Sequence, residues 1–281
     1  TGKSTLVYYL CGALSKTGEV VLCDLDGCDP EYLRSAFACG GFQGKVKVVH
    51  YVDKKGNPRT HAEMGQEAVE ALIQSKDVTC AVLDSVTAYQ SQGEMVGDVG
   101  EAFMGQRAKQ IGQIVRRARA GLNYKPGYFF VVNHPYAVIG GVGHKTAGGE
   151  VLKDLAGVRI SIYHKENIKD SKDERIIAFV VGGQVEKLRF GGKKTGNTEK
   201  FTYVILPDIG LSRDLSAMFD CFTFGLASRE RTVKLGDTSV GYISSLINDA
   251  RNGKTEVFEP FHEALAEYEE QYFLEHGGGM G

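Results

Sequence analysis

The first five residues, Thr-Gly-Lys-Ser-Thr, restrict the fold of this chain more than any other feature. They match the right-hand end of the phosphate-binding pattern GxxxxGK[ST], and an apolar stretch that is typical of a helix follows directly. In that pattern, loop amides and the N-terminus of the helix hold phosphate groups. The left-hand glycine is missing and the first residue is not Met, so we expect the chain to lack the N-terminal part of a longer protein.

Two residue types give this start its predicted chemistry. Lys3 is expected to reach the β- and γ-phosphates, and the hydroxyl of Ser4 is expected to bind Mg²⁺. The alternative is a glycine–lysine turn that only caps a helix. A second element favours the nucleotide site, because the apolar strand Ala-Val-Leu-Asp ends in Asp84. At the carboxyl end of a parallel strand, such a carboxylate can hold the water shell of Mg²⁺.

The order of the predicted elements indicates an α/β fold. Helices at about 3–16, 30–39, 61–76 and 103–122 alternate with apolar strands at 19–26, 46–51, 79–85 and 128–133. This pattern predicts a mostly parallel central sheet that helices flank. Strands are expected at 156–163, 176–186 and 200–206, and mostly helices from residue 211 onward. We therefore predict an ATPase-like core over 1–207, a small C-terminal α/β or helical domain over 208–275, and a flexible tail over 276–281.

Composition limits the class of protein. The formal charge is −2, so a role in nucleic-acid binding would need a local basic patch. No apolar run approaches the roughly 20 residues that span a membrane, so no membrane partner is expected. The six cysteines form no CxxC pair and lie mostly in apolar stretches, which indicates reduced core thiols and a cytoplasmic location.

Acidic residues end the first complete strand, in the segment Asp-Leu-Asp-Gly-Cys-Asp-Pro-Glu-Tyr. We expect either Asp24 or Asp26 to face the phosphate crevice, where a carboxylate could orient and deprotonate the attacking water. Asp29 followed by Pro30 also fits an N-cap and the first turn of a helix.

Several motifs in the same order resemble those of RecA-family recombinases, and bacterial RecA above all. They are GKST, DLDGCDPEY, LDSVTAY, GDVGEAFMGQRAKQIGQIVRRA, VVNHPYAVIG, TAGGEVLKDLAGVRISIY and VEKLRF, and the match runs to about residue 250. The resemblance implies a RecA-like P-loop ATPase core that binds ATP and Mg²⁺. It also implies a helical homo-oligomeric filament on single-stranded DNA that takes up double-stranded DNA.

The resemblance assigns roles to individual residues. Those that would contact the nucleotide are Gly2, Lys3, Ser4, Thr5, Asp29, Tyr32 and Asp84. Asp26 would activate water, although RecA has Glu there and a segment that is one residue longer. His134 would sense the γ-phosphate in place of a Gln. Lys187 and Arg189 stand where two lysines of RecA reach the ATP of a neighbouring protomer.

Two segments are candidates for DNA binding. Five basic residues and no acid lie between Phe103 and Leu122, which suits the tracking of phosphates but also fits a solvated helix face. The candidates here are Met104, Gly105, Arg107, Lys109 and Arg116, with Met104 implied by the resemblance as a wedge between bases.

The second segment, Pro135 to Gly149, contains five glycines and no obvious regular structure, which is typical of a loop that orders around a ligand. Its candidates are Ile139 for intercalation, Lys145 for a phosphate, and the amides of Gly148 and Gly149.

Together with these observations, the resemblance implies a DNA-dependent ATPase that carries out strand exchange in homologous recombination and DNA repair. Two alternatives remain open. One is a ring-forming helicase or clock-type ATPase with the same core, and the other is a weakly catalytic DNA-binding scaffold.

Overall fold

The structure is a computed structural model that describes residues 2–96, 105–137, 144–170, 173–189 and 200–276. These residues form nine α-helices, one 3-10 helix and thirteen strands. The helices are α1 (Lys3–Leu14), α2 (Pro30–Cys39), α3 (His61–Gln74), α4 (Gln92–Val96), α5 (Gln106–Leu122), α6 (Gly149–Leu155), α7 (Arg213–Thr223), α8 (Ile243–Arg251), the 3-10 helix (Glu256–Phe258) and α9 (Glu259–His276). The strands are β1 (Glu19–Asp24), β2 (Val46–Val48), β3 (Val78–Asp84), β4 (Tyr128–Val131), β5 (Pro135–Ala137), β6 (His144–Thr146), β7 (Val158–Lys169), β8 (Ile176–Leu188), β9 (Lys200–Leu206), β10 (Gly210–Ser212), β11 (Ala227–Arg229), β12 (Val233–Leu235) and β13 (Thr238–Gly241).

Contacts divide the chain into two compact units, Leu6–Gly157 and Val158–Gly281 together with Thr1–Thr5. The domain boundary that the sequence predicts after residue 207 stays a prediction. No helix among the described residues is both long and apolar enough to span a membrane.

The Leu6–Gly157 unit is built on a parallel sheet with the strand order β2-β1-β3-β4. Helices cover both faces, so β1 and β3 are buried almost throughout, as expected of parallel strands. Alternate strand residues enter two cores. Val21 and Leu83 pack in the core that includes α3 and α5, whereas Leu22 and Val82 pack in the core that includes α1 and α2. The α/β fold with a flanked parallel sheet is therefore confirmed.

Local sequence signals set the starts of two of these helices. Asp29 caps α2 by accepting hydrogen bonds from two backbone amides of its first turn, and Pro30 occupies the first turn itself. Thr60 and Glu63 form a reciprocal capping box at the start of α3. Both helices therefore begin where the sequence predicts.

The other unit holds an antiparallel sheet with the order β10-β9-β8-β7. One of its faces packs on α7, α8 and α9 in an apolar core centred on Leu215, Met218 and Phe258. Two adjacent glycines of β8 lie under aromatic rings from its two neighbouring strands. A Cβ on Gly182 would lie 2.4 Å from the ring of Tyr163, and one on Gly183 would lie 2.1 Å from the ring of Phe201.

The structure adds one element to the expected pattern and corrects one expectation from the sequence. After residue 211 the chain forms mostly helices, as expected, in α7, α8 and α9, and it also contains the small sheet β11-β12-β13. These strands have three or four residues, too few for an alternation signal. The correction concerns Pro135 to Gly149, which was expected to have no obvious regular structure. Its described parts form the hairpin β5-β6 and the start of α6.

Candidate functional site

The candidate site lies at the carboxyl ends of β1, β3 and β4, where ligands bind in open α/β sheets. Asp24 and Asp84 are register partners in the parallel pair of β1 and β3, so the two carboxylates end neighbouring strands. Asp84 is 1% exposed and Asp24 is 8% exposed. Two acids this deeply buried need hydrogen-bond donors.

Tyr8 supplies the donor for Asp84. Its hydroxyl donates to Asp84 Oδ2 at 2.8 Å, and Tyr8 is buried on α1, five residues after Lys3. Burial first, and then the charge of Asp84, raise the pKa of Tyr8 well above its ordinary value, so the phenol keeps its proton. This hydrogen bond therefore fixes the orientation of the Asp84 carboxylate.

Backbone amides hold the carboxylate of Asp24. Its Oδ1 accepts from the amides of Asp26 at 3.1 Å and Gly27 at 3.0 Å, and its Oδ2 accepts from the amide of Cys28 at 2.6 Å. The side chain therefore closes the turn that follows β1. Asp26 lies in that turn and is exposed, so the two acids have distinct surroundings.

Asp29 and Tyr32 follow this turn at the start of α2. The carboxylate of Asp29 accepts from the amides of Glu31 at 3.0 Å and Tyr32 at 2.8 Å, which is the N-cap expected from the Asp-Pro pair. Asp29 itself is exposed. Tyr32 packs partly buried against the core that includes Tyr8 and Phe37.

A chain of hydrogen bonds crosses the carboxyl ends of β3 and β4. His134 donates its backbone N–H to Thr87 Oγ1 at 2.9 Å, and Thr87 Oγ1 donates to Asn133 Oδ1 at 3.3 Å. Asn133 Nδ2 then donates to the carbonyl of Ala147 at 2.8 Å. We call these four residues the Thr87 relay. The sequence indicates His134 as a candidate but does not indicate Thr87. A Thr that follows a strand gives no local sign that its hydroxyl will contact residues more than 40 positions away.

The residues of the phosphate-loop motif belong to the Val158–Gly281 unit. The second glycine of the motif, Gly2, has a φ of +81° and its carbonyl accepts from the hydroxyl of Tyr203 at 3.2 Å. A Cβ at this position would lie 2.6 Å from Ile205 Cδ1, so any other residue would require the Ile205 side chain or the backbone to move. Lys3 and Ser4 open α1 and are partly buried, and Thr5 is buried.

The donor set at the start of α1 fits a nucleotide phosphate with Mg²⁺. The first-turn amides of a helix have no acceptor within the helix, Lys3 adds a positive charge, and Ser4 adds a hydroxyl. Among the residues that the structure describes, no cluster of three or more His, Cys, Asp or Glu side chains could hold a metal ion.

In the Val158–Gly281 unit, the candidate residues Lys187 and Arg189 lie at the end of β8. Lys187 is the register partner of Arg159 and is partly buried, whereas Arg189 follows the strand and is exposed. Glu186 lies beside them and accepts from the Arg159 Nε at 2.8 Å.

The basic residues of α5 separate into two groups. Three have partners within the Leu6–Gly157 unit. Arg107 pairs with Glu94 at 3.0 Å, Arg117 pairs with a carboxylate of α3 at 3.3 Å, and Arg119 donates to a carbonyl of α6 at 2.8 Å. Lys109 and Arg116 are exposed, and they lie two helical turns apart on one face.

The remaining DNA-binding candidates are three glycines, two residues outside the described ranges, and one residue of which only the backbone is described. Gly105 caps the start of α5 with a φ of +83°, and Gly148 and Gly149 form the start of α6. Met104 and Ile139 lie outside the described residues, as does the side chain of Lys145 in β6.

A cap at the far end of β3 was not predicted from the sequence. Lys125 Nζ donates to the carbonyls of Leu72 at 2.6 Å and Val78 at 2.5 Å, and also to the carbonyl of Ser75. It therefore joins the end of α3 to the start of β3.

Comparison with known proteins places these features in a family. The model of the RecA N-terminal domain matches residues 46–188, which is just over half of the chain. Protein RecA of Clavibacter michiganensis is 26% identical over 219 residues, which cover 76% of this chain and 56% of that protein. Protein RecA of Gloeobacter violaceus is 29% identical over 179 residues, with coverage of 62% and 46%. Protein RecA of Chloroflexus aggregans is 26% identical over 219 residues, with coverage of 76% and 58%. The chain spans about half the length of the curated relatives that it matches.

Proposed function

This chain belongs to the RecA family, and we propose that it is a DNA-dependent ATPase that acts in homologous recombination. In this proposal the protein assembles as a helical filament on single-stranded DNA and exchanges strands with a duplex. The match to the RecA N-terminal domain carries the proposal, since it includes β3 with Asp84, α5 and the hairpin β5-β6.

Residues at the start of α1 bind the nucleotide in this proposal. Gly2, Lys3, Ser4 and Thr5 surround the phosphates of ATP, and Lys3 neutralises their charge. Ser4 and the buried Asp84 hold Mg²⁺, which is commonly bound by one or two protein side chains together with phosphate oxygens. When bound, Mg²⁺ supplies further positive charge for the phosphoryl group.

Asp26 orients the attacking water. The exposed position of its carboxylate supports this role, because Asp24 already uses both oxygens to hold the turn. His134 senses the γ-phosphate, Asp29 and Tyr32 contact the base and ribose, and Lys187 and Arg189 act on the ATP of a neighbouring protomer. Catalysis of this kind depends on positioning and electrostatic stabilisation.

The exposed face of α5 that carries Lys109 and Arg116 binds the DNA backbone. Partners inside the unit engage the other basic residues of the helix, which leaves these two best placed to contact phosphates. Met104, Ile139, Lys145 and the two glycines that begin α6 complete the proposed DNA interface.

The test is ATP hydrolysis by the full-length protein with and without an oligo-dT single strand, alongside electron microscopy of the DNA complex. We expect hydrolysis that DNA stimulates, and helical filaments. Lys3→Ala is expected to abolish hydrolysis, whereas Lys16→Ala, at an exposed lysine just after α1, keeps it. Hydrolysis at the wild-type rate in a folded Lys3→Ala variant would contradict the nucleotide site, and closed rings in place of filaments would contradict the assembly.

A further inference from the structure

The Thr87 relay joins three segments that are distant in sequence. Thr87 follows β3 by three residues, Asn133 and His134 follow β4, and Ala147 lies just after β6. The hydroxyl of Thr87 contacts both residues after β4, at 2.9 Å from the His134 amide and 3.3 Å from Asn133 Oδ1. One hydroxyl therefore connects the end of β3 with the end of β4.

The direction of each hydrogen bond in the relay is fixed. The backbone N–H of His134 can only donate, so Thr87 Oγ1 accepts from it and directs its own proton to Asn133 Oδ1. This sets the amide of Asn133, whose Nδ2 then faces the carbonyl of Ala147 at 2.8 Å. A reversed amide would place two acceptors against each other at Ala147. The relay thus has one satisfied arrangement.

The relay joins the two ends of the second candidate DNA loop. Asn133 precedes β5 and Ala147 follows β6, so the hydrogen bond between them connects the residues that flank the segment 134–146. Ala147 is buried, which fixes the C-terminal end of the segment. At its other end the relay begins three residues after Asp84, the proposed Mg²⁺ ligand. The relay therefore extends from the nucleotide end of the sheet to the base of the loop.

From this arrangement we propose that Thr87 is a positioning residue that couples nucleotide binding to the second DNA loop. Thr87 holds the backbone of His134, and through Asn133 it holds both ends of the loop. It does not itself contact ATP or DNA. Any movement of His134 toward a bound nucleotide changes the hydrogen bonds of Thr87 and, through Asn133, the position of Ala147. This inference rests on the proposed function, since it concerns how the two proposed sites communicate.

The test uses Thr87→Val, which keeps the shape of the side chain and removes the hydroxyl. The readout is the ratio of ATP hydrolysis with oligo-dT to hydrolysis without it. Allosteric coupling between two sites is commonly about 5- to 150-fold, and we expect this ratio to fall about tenfold in Thr87→Val. Thr87→Ser keeps the hydroxyl and is expected to restore the ratio.

Thr79→Val is a matched control in β3, the strand that Thr87 follows. The hydroxyl of Thr79 is buried and has no hydrogen-bond partner among the residues that the structure describes. The same substitution there removes a hydroxyl without breaking a relay, so the ratio should stay at the wild-type value. Asn133→Asp serves as a second variant, because it keeps Oδ1 but has no N–H to give to Ala147.

Amide hydrogen exchange over residues 133–149 provides a readout that does not depend on turnover. In the wild-type protein, a non-hydrolysable ATP analogue should change the exchange of this segment, and oligo-dT should change it further. In Thr87→Val and in Asn133→Asp, the analogue should leave this exchange unaltered while nucleotide affinity stays measurable. A merely structural role would lower the melting temperature without separating these responses.

Two outcomes would overturn this inference while leaving the proposed function intact. In the first, Thr87→Val and Asn133→Asp both show the wild-type hydrolysis ratio and the wild-type hydrogen exchange. In the second, Thr87→Ser is as impaired as Thr87→Val. A wild-type protein that neither binds the ATP analogue nor hydrolyses ATP would instead contradict the proposed function, and the inference would fall with it.

Discussion

Asp24 and Asp26 stand two residues apart, yet the structure predicts opposite results for the same substitution. In Asp24→Asn, only one side-chain oxygen remains to accept the three amides that the carboxylate now holds at 2.6–3.1 Å. In either orientation the new amide nitrogen faces at least one N–H donor that has lost its acceptor. In Asp26→Asn, the side chain is exposed and holds none of these amides.

The size of the effect follows from these contacts. A hydrogen bond to a charged group contributes about 1.5–3 kcal/mol, and a buried donor without an acceptor costs about 1–3 kcal/mol. These two figures overlap in part, so we expect Asp24→Asn to lower the free energy of unfolding by about 2–4 kcal/mol. An exposed substitution away from such contacts changes it by about 0.5 kcal/mol or less, which is our expectation for Asp26→Asn.

Urea unfolding followed by far-UV circular dichroism measures this difference, with both variants compared with the wild-type protein at pH 7. For urea slopes of about 1–3 kcal/mol per molar, a loss of about 2–4 kcal/mol should lower the midpoint of Asp24→Asn by about 0.7–4 M at an unchanged slope. The same preparations are assayed for single-turnover ATP hydrolysis on a preformed DNA complex. There, Asp26→Asn should lose nearly all turnover while it keeps nucleotide and DNA binding.

An Asp24→Asn protein with the wild-type midpoint would refute the reasoning about the turn. If Asp26→Asn hydrolyses ATP at the wild-type rate while a folded Asp24→Asn is inactive, the roles of the two acids are reversed.

Three further predictions concern other parts of the chain. Neutralising Lys109 and Arg116 together should weaken binding to single strands of any sequence and flatten the salt dependence by about 0.7 per lost phosphate contact, whereas Arg117→Gln should not. Lys125→Met keeps the apolar stem but leaves three carbonyls without their donor, so thermal unfolding should show a loss of about 2–4 kcal/mol. Burial raises the pKa of Asp220 from 3.8 to about 6, so the folded state holds the proton more tightly than the unfolded state, and stability falls as the pH rises from about 4 to 6. Asp220→Asn should therefore be more stable than the wild-type protein at pH 7.5, and this advantage should shrink at pH 5 in urea titrations.

Each of these predictions has a result that contradicts it. Lower DNA affinity with an unchanged salt slope would place Lys109 and Arg116 away from the backbone. If Lys125→Met has the same melting temperature as the wild-type protein, water replaces the ammonium group at the three carbonyls with no loss of stability. An Asp220→Asn variant whose stability difference is the same at both pH values would show that this carboxyl group does not titrate differently in the folded state.

The sequence predicts the parallel sheet well because its two central strands, β1 and β3, are apolar and buried almost throughout. Val20 to Asp24 and Cys80 to Asp84 are continuous apolar runs that end in an acid, and both strands stand where the pattern places them. The same pattern predicts at which edge of the sheet the proposed nucleotide site lies, since the carboxyl ends of parallel strands meet at one edge.

The partners of individual side chains could not be predicted in the same way. The basic residues of α5 form one stripe in the sequence, but Arg107, Arg117 and Arg119 find acceptors on α4, α3 and α6. Those acceptors come from elements 13–47 residues away, so only the fold brings them together. Lys125 and Thr87 were missed for the same reason.

The glycine pair of β8 has a consequence for how its sheet assembles. Gly182 and Gly183 point to opposite faces, and each leaves space for a ring that only one neighbouring strand provides, Tyr163 of β7 and Phe201 of β9. If β8 slid by one residue so that Val181 came opposite Tyr163, or so that Gln184 came opposite Phe201, the ring would meet a Cβ. A slip in either direction would also turn the apolar side chains of a strand to the wrong face. The glycine pair therefore favours the observed alignment of the three strands, and alanine at either position should produce misaligned, aggregation-prone chains during refolding.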